Sequence, residues 1–273
     1  MSTILLVDNG SSKPGSTLNL RRIAHDLGLK TGHTIYPVSL QHAHRVPAEL
    51  LDGTPALTFE PFMRNKLTEG ERTFIVLPLF FGPSRALTNF IPDHLQRFTE
   101  EFGAIDLSIA DVLCPLPPGE QRLAQILNDQ IAGYYSDNND VHNVILVDHG
   151  SPIPEVTAVR NYLGSELEKL LPEGISLHSA VMERRKGSQY DFNGILLEEL
   201  LDELAGKDPG QTIALALLFL SPGRHAGPGG DIEEIAADAE QRNPGLNIVL
   251  SPLVGQHPGL IDILADRLST ILT

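Results

Sequence analysis

The stretch VILVDHGSP, residues 144–152, sets a continuous apolar run directly before an Asp-His-Gly turn. Near the start of the chain TILLVDNGSS, residues 3–12, repeats the phrase with Asn9 in place of His149. A short run that is apolar at consecutive positions and stopped by a turn suits a strand buried on both faces, the pattern of a parallel sheet. FIVLPLFF (74–81) and TIALALLFL (212–220) have the same character. Helical stretches separate the runs. EVTAVRNYLGSELEKLL (155–171) carries Val156, Val159, Leu163, Leu167 and Leu170/Leu171 at a helical period, and DIEEIAADAEQR (231–242) opens on Asp231 as N-cap with an acidic first turn. Strands alternating with helices predict an α/β fold of central parallel sheets flanked by helices, Rossmann-like in each part.

The repeat extends beyond the opening phrase, since three blocks recur in the same order at an offset of about 140. Asp8-Asn9-Gly10-Ser11 answers to Asp148-His149-Gly150-Ser151, and PLFFGPSRA (78–86) to LLFLSPGRH (217–225). VLCPL (112–116) answers to VLSPL (249–253), which matches Cys114 with Ser251. The chain is therefore expected to hold two similar lobes, 1–137 and 138–273, joined near the polar stretch YYSDNNDVHN (134–143).

Composition narrows the classes of function. The 273 residues carry a formal charge of -15, which disfavours nonspecific attraction to nucleic acid or anionic lipid. An anionic ligand must be met by local basic clusters, such as ERRK (183–186) or Arg224 beside His225. No apolar run reaches the roughly 18 residues of a membrane span, because Pro222 and Gly223 stop the longest one. With one cysteine, Cys114, and no secretory pattern in MSTILLV, the expected compartment is the cytoplasm.

Ligands of such sheets bind at the carboxyl ends of the strands, and both conspicuous histidines fall there. His149 follows the first strand of the second half; His225 follows TIALALLFL after a Ser-Pro-Gly turn. A lone histidine after a strand is ordinarily a turn residue bonded to backbone. Here the repeat alters the reading, because Asn9 and Ala86 replace the two imidazoles together in the half that keeps their frame. Neutral imidazole suits borderline divalent metals and accepts protons near neutral pH. Glu183 in HSAVMERRK can complete a His/His/Glu set, with His42 as its counterpart in the first half; a solvated glutamate is the competing reading. Arg184, Arg185 and Lys186 are either a wet surface or a means of steering a polycarboxylate, and Arg224 is repeated as Arg85. GRHAGPGGDIEEI (223–235) is a glycine-rich loop opening a helix and can receive an anion, yet neither it nor GSSKPGS (10–16) has phosphate-loop or dinucleotide spacing, so no ATP or other nucleotide is expected. A phosphohistidine enzyme is disfavoured by Asp148, whose charge opposes a phosphate. Cys114 reads as a small buried residue, His42 and His44 as an incomplete metal set, and His257 as the start of the last helix.

A strand ending in His-Gly-Ser, followed by LFLSPGRH and an acidic helix, with the whole pattern duplicated, resembles the CbiX/SirB group of ATP-independent, class II tetrapyrrole chelatases. The resemblance covers essentially the whole chain as a tandem pair. It implies a bilobal fold with the macrocycle in a cleft between the lobes, and insertion of cobalt or iron into sirohydrochlorin or a related tetrapyrrole; nickel and zinc suit the same ligands. It implies His149 and His225 as metal-site histidines and Glu183 as the carboxylate that joins them. With a macrocycle as ligand, Arg224, Arg184, Arg185 and Ser151 are expected as its contacts, and a monomer or weak homodimer with no nucleic-acid or membrane partner is expected. In the long CbiX/SirB proteins the working pair lies in the N-terminal half, whereas here that half reads Asn9 and Ala86, and the C-terminal placement is similar to that of protoporphyrin ferrochelatases and the CbiK type. The first half would then be the wall opposite the site. A protein that stores or delivers metal or tetrapyrrole without turnover is the alternative.

Overall fold

Every residue of the strand that opens each half is apolar where the sheet needs it, and the computed structural model, which describes residues 2–136 and 141–272, builds two parallel sheets on those strands. The first half runs β1 (Thr3–Asp8), α1 (Pro14–Thr31), β2 (Ile35–Ser39), β3 (Leu57–Thr58), α2 (Phe59–Thr68), β4 (Thr73–Pro78), α3 (Ile91–Phe102), β5 (Asp106–Ile109) and α4 (Gln121–Ser136). The second runs β6 (Val141–Asp148), α5 (Pro154–Glu168), β7 (Ser176–Val181), α6 (Leu197–Lys207), β8 (Thr212–Leu217), α7 (Asp231–Arg242), β9 (Asn247–Leu250) and α8 (Gly259–Leu272). Strand order is β3-β2-β1-β4-β5 in one sheet and β7-β6-β8-β9 in the other, all parallel. The expected α/β fold with helices on parallel sheets is thus what forms, and no helix among the described residues is long and apolar enough to cross a membrane.

The compact units are not the two sequence halves. One comprises Met1–Pro115 and Pro258–Thr273, the other Leu116–His257. The buried stripe of α4, Leu123, Ala124, Leu127 and Ile131, belongs to the second unit, where α4 meets α5 and β8. In the first unit α8 meets α1 and β4. The division at 137/138 therefore marks the duplication in sequence but not the packing, because each sheet takes the last helix of the other half as cover. The junction itself, residues 137–140, lies outside the described residues.

Backbone hydrogen bonds at the strand ends tie each residue to its true counterpart. Leu40 N donates to Asp8 O and Met182 N to Asp148 O, both at 2.8 Å. Ala110 N donates to Val76 O, and Ser251 N makes the same bond to Leu215 O, one residue past β5 and β9. Ser251 therefore answers to Ala110, and the pairing with Cys114 expected from VLCPL and VLSPL is out of register with the sheet. Cys114 is fully buried, as a small apolar residue would be.

Two helix readings are corrected. α5 ends at Glu168, so Val159, Leu163 and Leu167 form its buried stripe while Leu170 falls beyond it and is exposed. α7 takes Gly230 as N-cap; Asp231 is its first residue and makes no cap bond.

The lobes differ beneath the first strand. Asp8 is buried, and burial pushes its pKa up to about 6 despite hydrogen bonds from Ser39 and Ser16. The folded value exceeds the ordinary one of about 3.9. Folded chains keep this proton over a range where unfolded chains release it, so its contribution is fully present below about pH 4 and is lost as pH rises through about 6. The effect has a ceiling of about 3 kcal/mol. Melting temperatures measured from about pH 4 to pH 7 should fall less in Asp8→Asn than in the wild type; parallel curves would contradict this.

Candidate metal centre

Gly150 sits at φ 87°, and a Cβ built on it would lie 2.0 Å from the carbonyl oxygen of Glu183. Only glycine lets the turn after β6 come this close to the chain leaving β7. Glu183 N then donates to His149 O at 3.1 Å, and the Glu183 carboxylate reaches His149 Nε2 at 3.2 Å. Past β8, the chain turns through Ser-Pro-Gly and carries His225 to the same spot, its ring centroid 4.5 Å from that of His149 with the planes at 70°. The three residues named from sequence are brought together, half-exposed at the mouth of the second sheet.

The two rings are held by their Nδ1 atoms. His149 Nδ1 lies 3.0 Å from Gly150 O, and His225 Nδ1 lies 2.7 Å from Asp231 Oδ2. A carbonyl or carboxylate oxygen only accepts, so each Nδ1 carries a hydrogen, and in a neutral ring Nε2 is then the atom with a lone pair to give. A lone pair facing a carboxylate oxygen at 3.2 Å, as His149 faces Glu183, is repulsive unless a cation lies between them. A proton or a metal ion satisfies that demand. Among the described residues no three His, Cys, Asp or Glu side chains are already closed into a metal-binding set. The trio is open, with Glu183 folded against one ring.

A buried network fixes the loop that bears His149. Arg160 on α5 donates to Asp148 Oδ1 at 3.0 Å and to Asn193 O at 2.7 Å. The Asn193 side chain accepts from Ser151 N and donates to Ser151 O, both at 2.9 Å, clamping that residue's backbone. Burial raises the pKa of Asp148 and the Arg160 guanidinium opposes the rise. The hydroxyl of Ser151 accepts from Ile153 N at 3.0 Å, closing the turn as Ser11 does for Lys13 N in the first half.

The basic residues line exposed loops of the same unit. Arg184 donates to Gly194 O at 2.8 Å and lies 3.7 Å from Asp191; Arg185 lies over the Tyr190 ring at 5.9 Å. Arg224 is exposed, with Nε 3.8 Å from Asp231. His257 stands apart, 3.7 Å from Asp129.

The first half repeats the frame without the donors. Gln41 N donates to Asn9 O, and a Cβ on Gly10 would lie 1.8 Å from Gln41 O, so Gln41 is the counterpart of Glu183. The expected counterpart, His42, is one residue too far, because the strand-end hydrogen bond and not sequence likeness sets the register. His149, Glu183 and His225 thus become Asn9, Gln41 and Ala86, and no member of the set is retained. Sequence reasoning missed Asp231, Arg160 and Asn193. An arginine on the apolar stripe of α5 is the one local signal of a buried partner; Asp231 was readable only as a cap, and Asn193 carries no signal.

The second half, residues 143–271, matches the CbiX family model. No curated protein matches the chain. Among solved structures, SirB from Bacillus subtilis with Fe3+ is 18% identical at a TM-score of 0.69, covering 98% of this chain and 95% of that one. SirB from Bacillus subtilis subspecies spizizenii in complex with cobalt is 17% identical at 0.65, covering 98% and 94%. CbiX, described as the terminal enzyme for biosynthesis of siroheme in denitrifying bacteria, is 14% identical at 0.58, covering 99% and 100%. The fold is therefore that of the class II chelatases along nearly the whole chain. The stretch that matches the CbiX model is the one that carries His149, Glu183 and His225.

Arg160 corresponds to Leu20, each the seventh residue of a helix that starts on proline. Arg160→Leu leaves Asp148 buried without its partner and should cost about 3–5 kcal/mol in denaturant unfolding; a loss under about 1 kcal/mol would show that the pair does not hold the loop.

Proposed function

We propose that this protein is a class II chelatase that inserts a divalent metal ion, cobalt or iron, into sirohydrochlorin or a closely related tetrapyrrole without nucleotide hydrolysis. The observation that carries the reading is the meeting of His149, His225 and Glu183 at the mouth of one sheet, with both rings anchored through Nδ1. The family match and the likeness to structures of SirB with Fe3+ and with cobalt support it.

The chemistry asks for little else. Metallation strips water from the ion, breaks two pyrrole N–H bonds and forms four metal–nitrogen bonds, and two protons leave for the doubly charged ion that enters. No electron is transferred. One imidazole holds the ion through Nε2, and the other, with the Glu183 carboxylate, receives the departing protons and passes them to solvent. The ion is substrate here, and imidazole with carboxylate accommodates iron, cobalt, nickel and zinc alike. Arg184, Arg185 and Arg224 meet the peripheral carboxylates of the macrocycle, where a planar guanidinium pairs with both oxygens. Ser151 contributes through the backbone it lends to the His149 turn.

Absorbance of metal-free sirohydrochlorin with Co2+ or Fe2+ follows insertion directly. His149→Ala and His225→Ala should each lower the rate by about 10²–10⁴-fold, with Glu183→Gln also impaired, while Asn9→Ala keeps most of the activity. Tight binding of metal or pigment with no acceleration of metallation would instead make this a delivery protein, and equal loss in Asn9→Ala would contradict the assignment of the site to the second half.

A further inference from the structure

We propose that Asp231 is a positioning residue that makes His225, and not His149, the imidazole that takes the incoming ion. The proposal rests on the chelatase reading and settles the division of labour within it.

The two rings have different anchors. His225 Nδ1–H donates to a carboxylate at 2.7 Å, whereas His149 Nδ1–H donates to the carbonyl of its own neighbour Gly150 at 3.0 Å. A carboxylate behind an imidazole holds its tautomer and orientation and makes the distal nitrogen a more basic ligand; a backbone carbonyl does so less. The distal nitrogens also face different surroundings. His149 Nε2 is met by the Glu183 carboxylate at 3.2 Å. The His225 side chain is 33% exposed, with the second ring beside it, and among the described residues no carboxylate is paired with its Nε2.

Asp231 is aimed at this task by the loop. Asp231 N donates to Arg224 O at 3.1 Å and Ile232 N to His225 O at 3.0 Å, so the chain from 224 to 232 folds back on itself and brings the start of α7 against the histidine. As first residue of α7, Asp231 makes no cap bond; the acid that serves the helix start is Glu233, which accepts from Gly229 N at 2.7 Å. The other charged group at Asp231 is Arg224, at 3.8 Å from the same Oδ2. In the first half the entire device is missing. Ala86 leads straight through the π-helical turn Ala86–Phe90 into α3, which starts on Ile91 where α7 starts on Asp231. Histidine, folded-back loop and carboxylate are present together or absent together.

Co2+ titrated alone into the full chain, followed by its visible absorption, separates the possibilities. Asp231→Ala should weaken Co2+ binding by about 10–100-fold and raise the KM for the metal in step, with a smaller loss in kcat at saturating Co2+. Asp231→Asn, which keeps an acceptor without its charge, should fall between this variant and the wild type. His149→Ala should show the opposite split, with kcat lost and Co2+ affinity largely kept. Glu233→Gln, in the same helix turn, should bind Co2+ as the wild type does. Melting temperatures identify any variant that fails to fold, in which case Asp231→Asn carries the comparison. Wild-type Co2+ affinity in Asp231→Ala alongside lost affinity in His225→Ala overturns the role of Asp231 and leaves the chelatase reading intact. Equal losses in Asp231→Ala and Glu233→Gln overturn it as well, since helix charge would then explain both. Unchanged binding and turnover in both histidine variants would instead bring down the reading on which the proposal stands.

Discussion

The candidate centre depends on one close approach of backbone to backbone, between the turn after β6 and the chain leaving β7. At Gly150 there is no room for a side chain, since the nearest atom of Glu183 would stand 2.0 Å from a Cβ. That contact fixes the hydrogen bond from Glu183 N to His149 O and so decides which residue of the β7 loop faces the imidazole. A single extra residue at either strand end would turn the neighbouring side chain inward in its place, because successive side chains of an extended chain point to opposite faces. The same approach at Gly10 and Gln41 has no metal chemistry to serve. The contact therefore belongs to the fold, and the chemistry was placed upon it.

This separates what duplication keeps from what it releases. Hydrogen bonds at the strand ends recur in both halves, so the frame persists, while His149, Glu183 and His225 correspond to Asn9, Gln41 and Ala86. Asn and Gln keep roughly the size and polarity of the groups they replace but offer neutral amides in place of an imidazole and a carboxylate. A lobe changed in this way keeps its shape while offering a cation neither an imidazole nor a carboxylate at these positions. The buried aspartates show the same drift. Asp148 has the guanidinium of Arg160, whereas Asp8 has hydroxyls and backbone amides but no cation, and burial pushes its pKa up to about 6. The charge-paired network lies in the half with the imidazoles, where a displaced loop would disturb the frame that holds His149.

Much of this was legible in the residues alone. Continuous apolar runs against turns named the strands of both sheets, and the paired loss of two imidazoles from a repeated frame named His149 and His225. Glu183 was found, but its counterpart was misread as His42, because loops between repeated strands differ in length and only the hydrogen bond that follows the strand restores the register. Cys114 and Ser251 were mismatched for the same reason: similar letters lay four positions off the pairing of β5 and β9. Asp231 was read as a cap. Its position at the head of a helix is a local fact, but the partner of its carboxylate is set by a loop that folds back over Gly227 and Gly230, and no periodicity encodes that return. Asn193 was invisible, since a side-chain amide that grips the backbone of Ser151 from 42 residues away leaves no trace in spacing.

Charge bears on how the proposed site would meet both a cation and a polycarboxylate. A chain of formal charge -15 draws divalent cations towards its surface without a dedicated path and repels a polycarboxylate. Basic residues near the mouth of the second sheet therefore have to act locally, and within a screening length of roughly 8–10 Å they can do so against the wider field. Arg184 and Arg224 are each tied loosely to an aspartate, at 3.7 and 3.8 Å, and Arg185 lies on an aromatic ring. Exposed pairs of this kind contribute little to stability, about 0–1 kcal/mol, so exchanging an aspartate for a substrate carboxylate costs the fold almost nothing. Arg224 shares Asp231 Oδ2 with His225, at 3.8 and 2.7 Å, so an anion that draws this guanidinium away leaves that oxygen wholly to the imidazole.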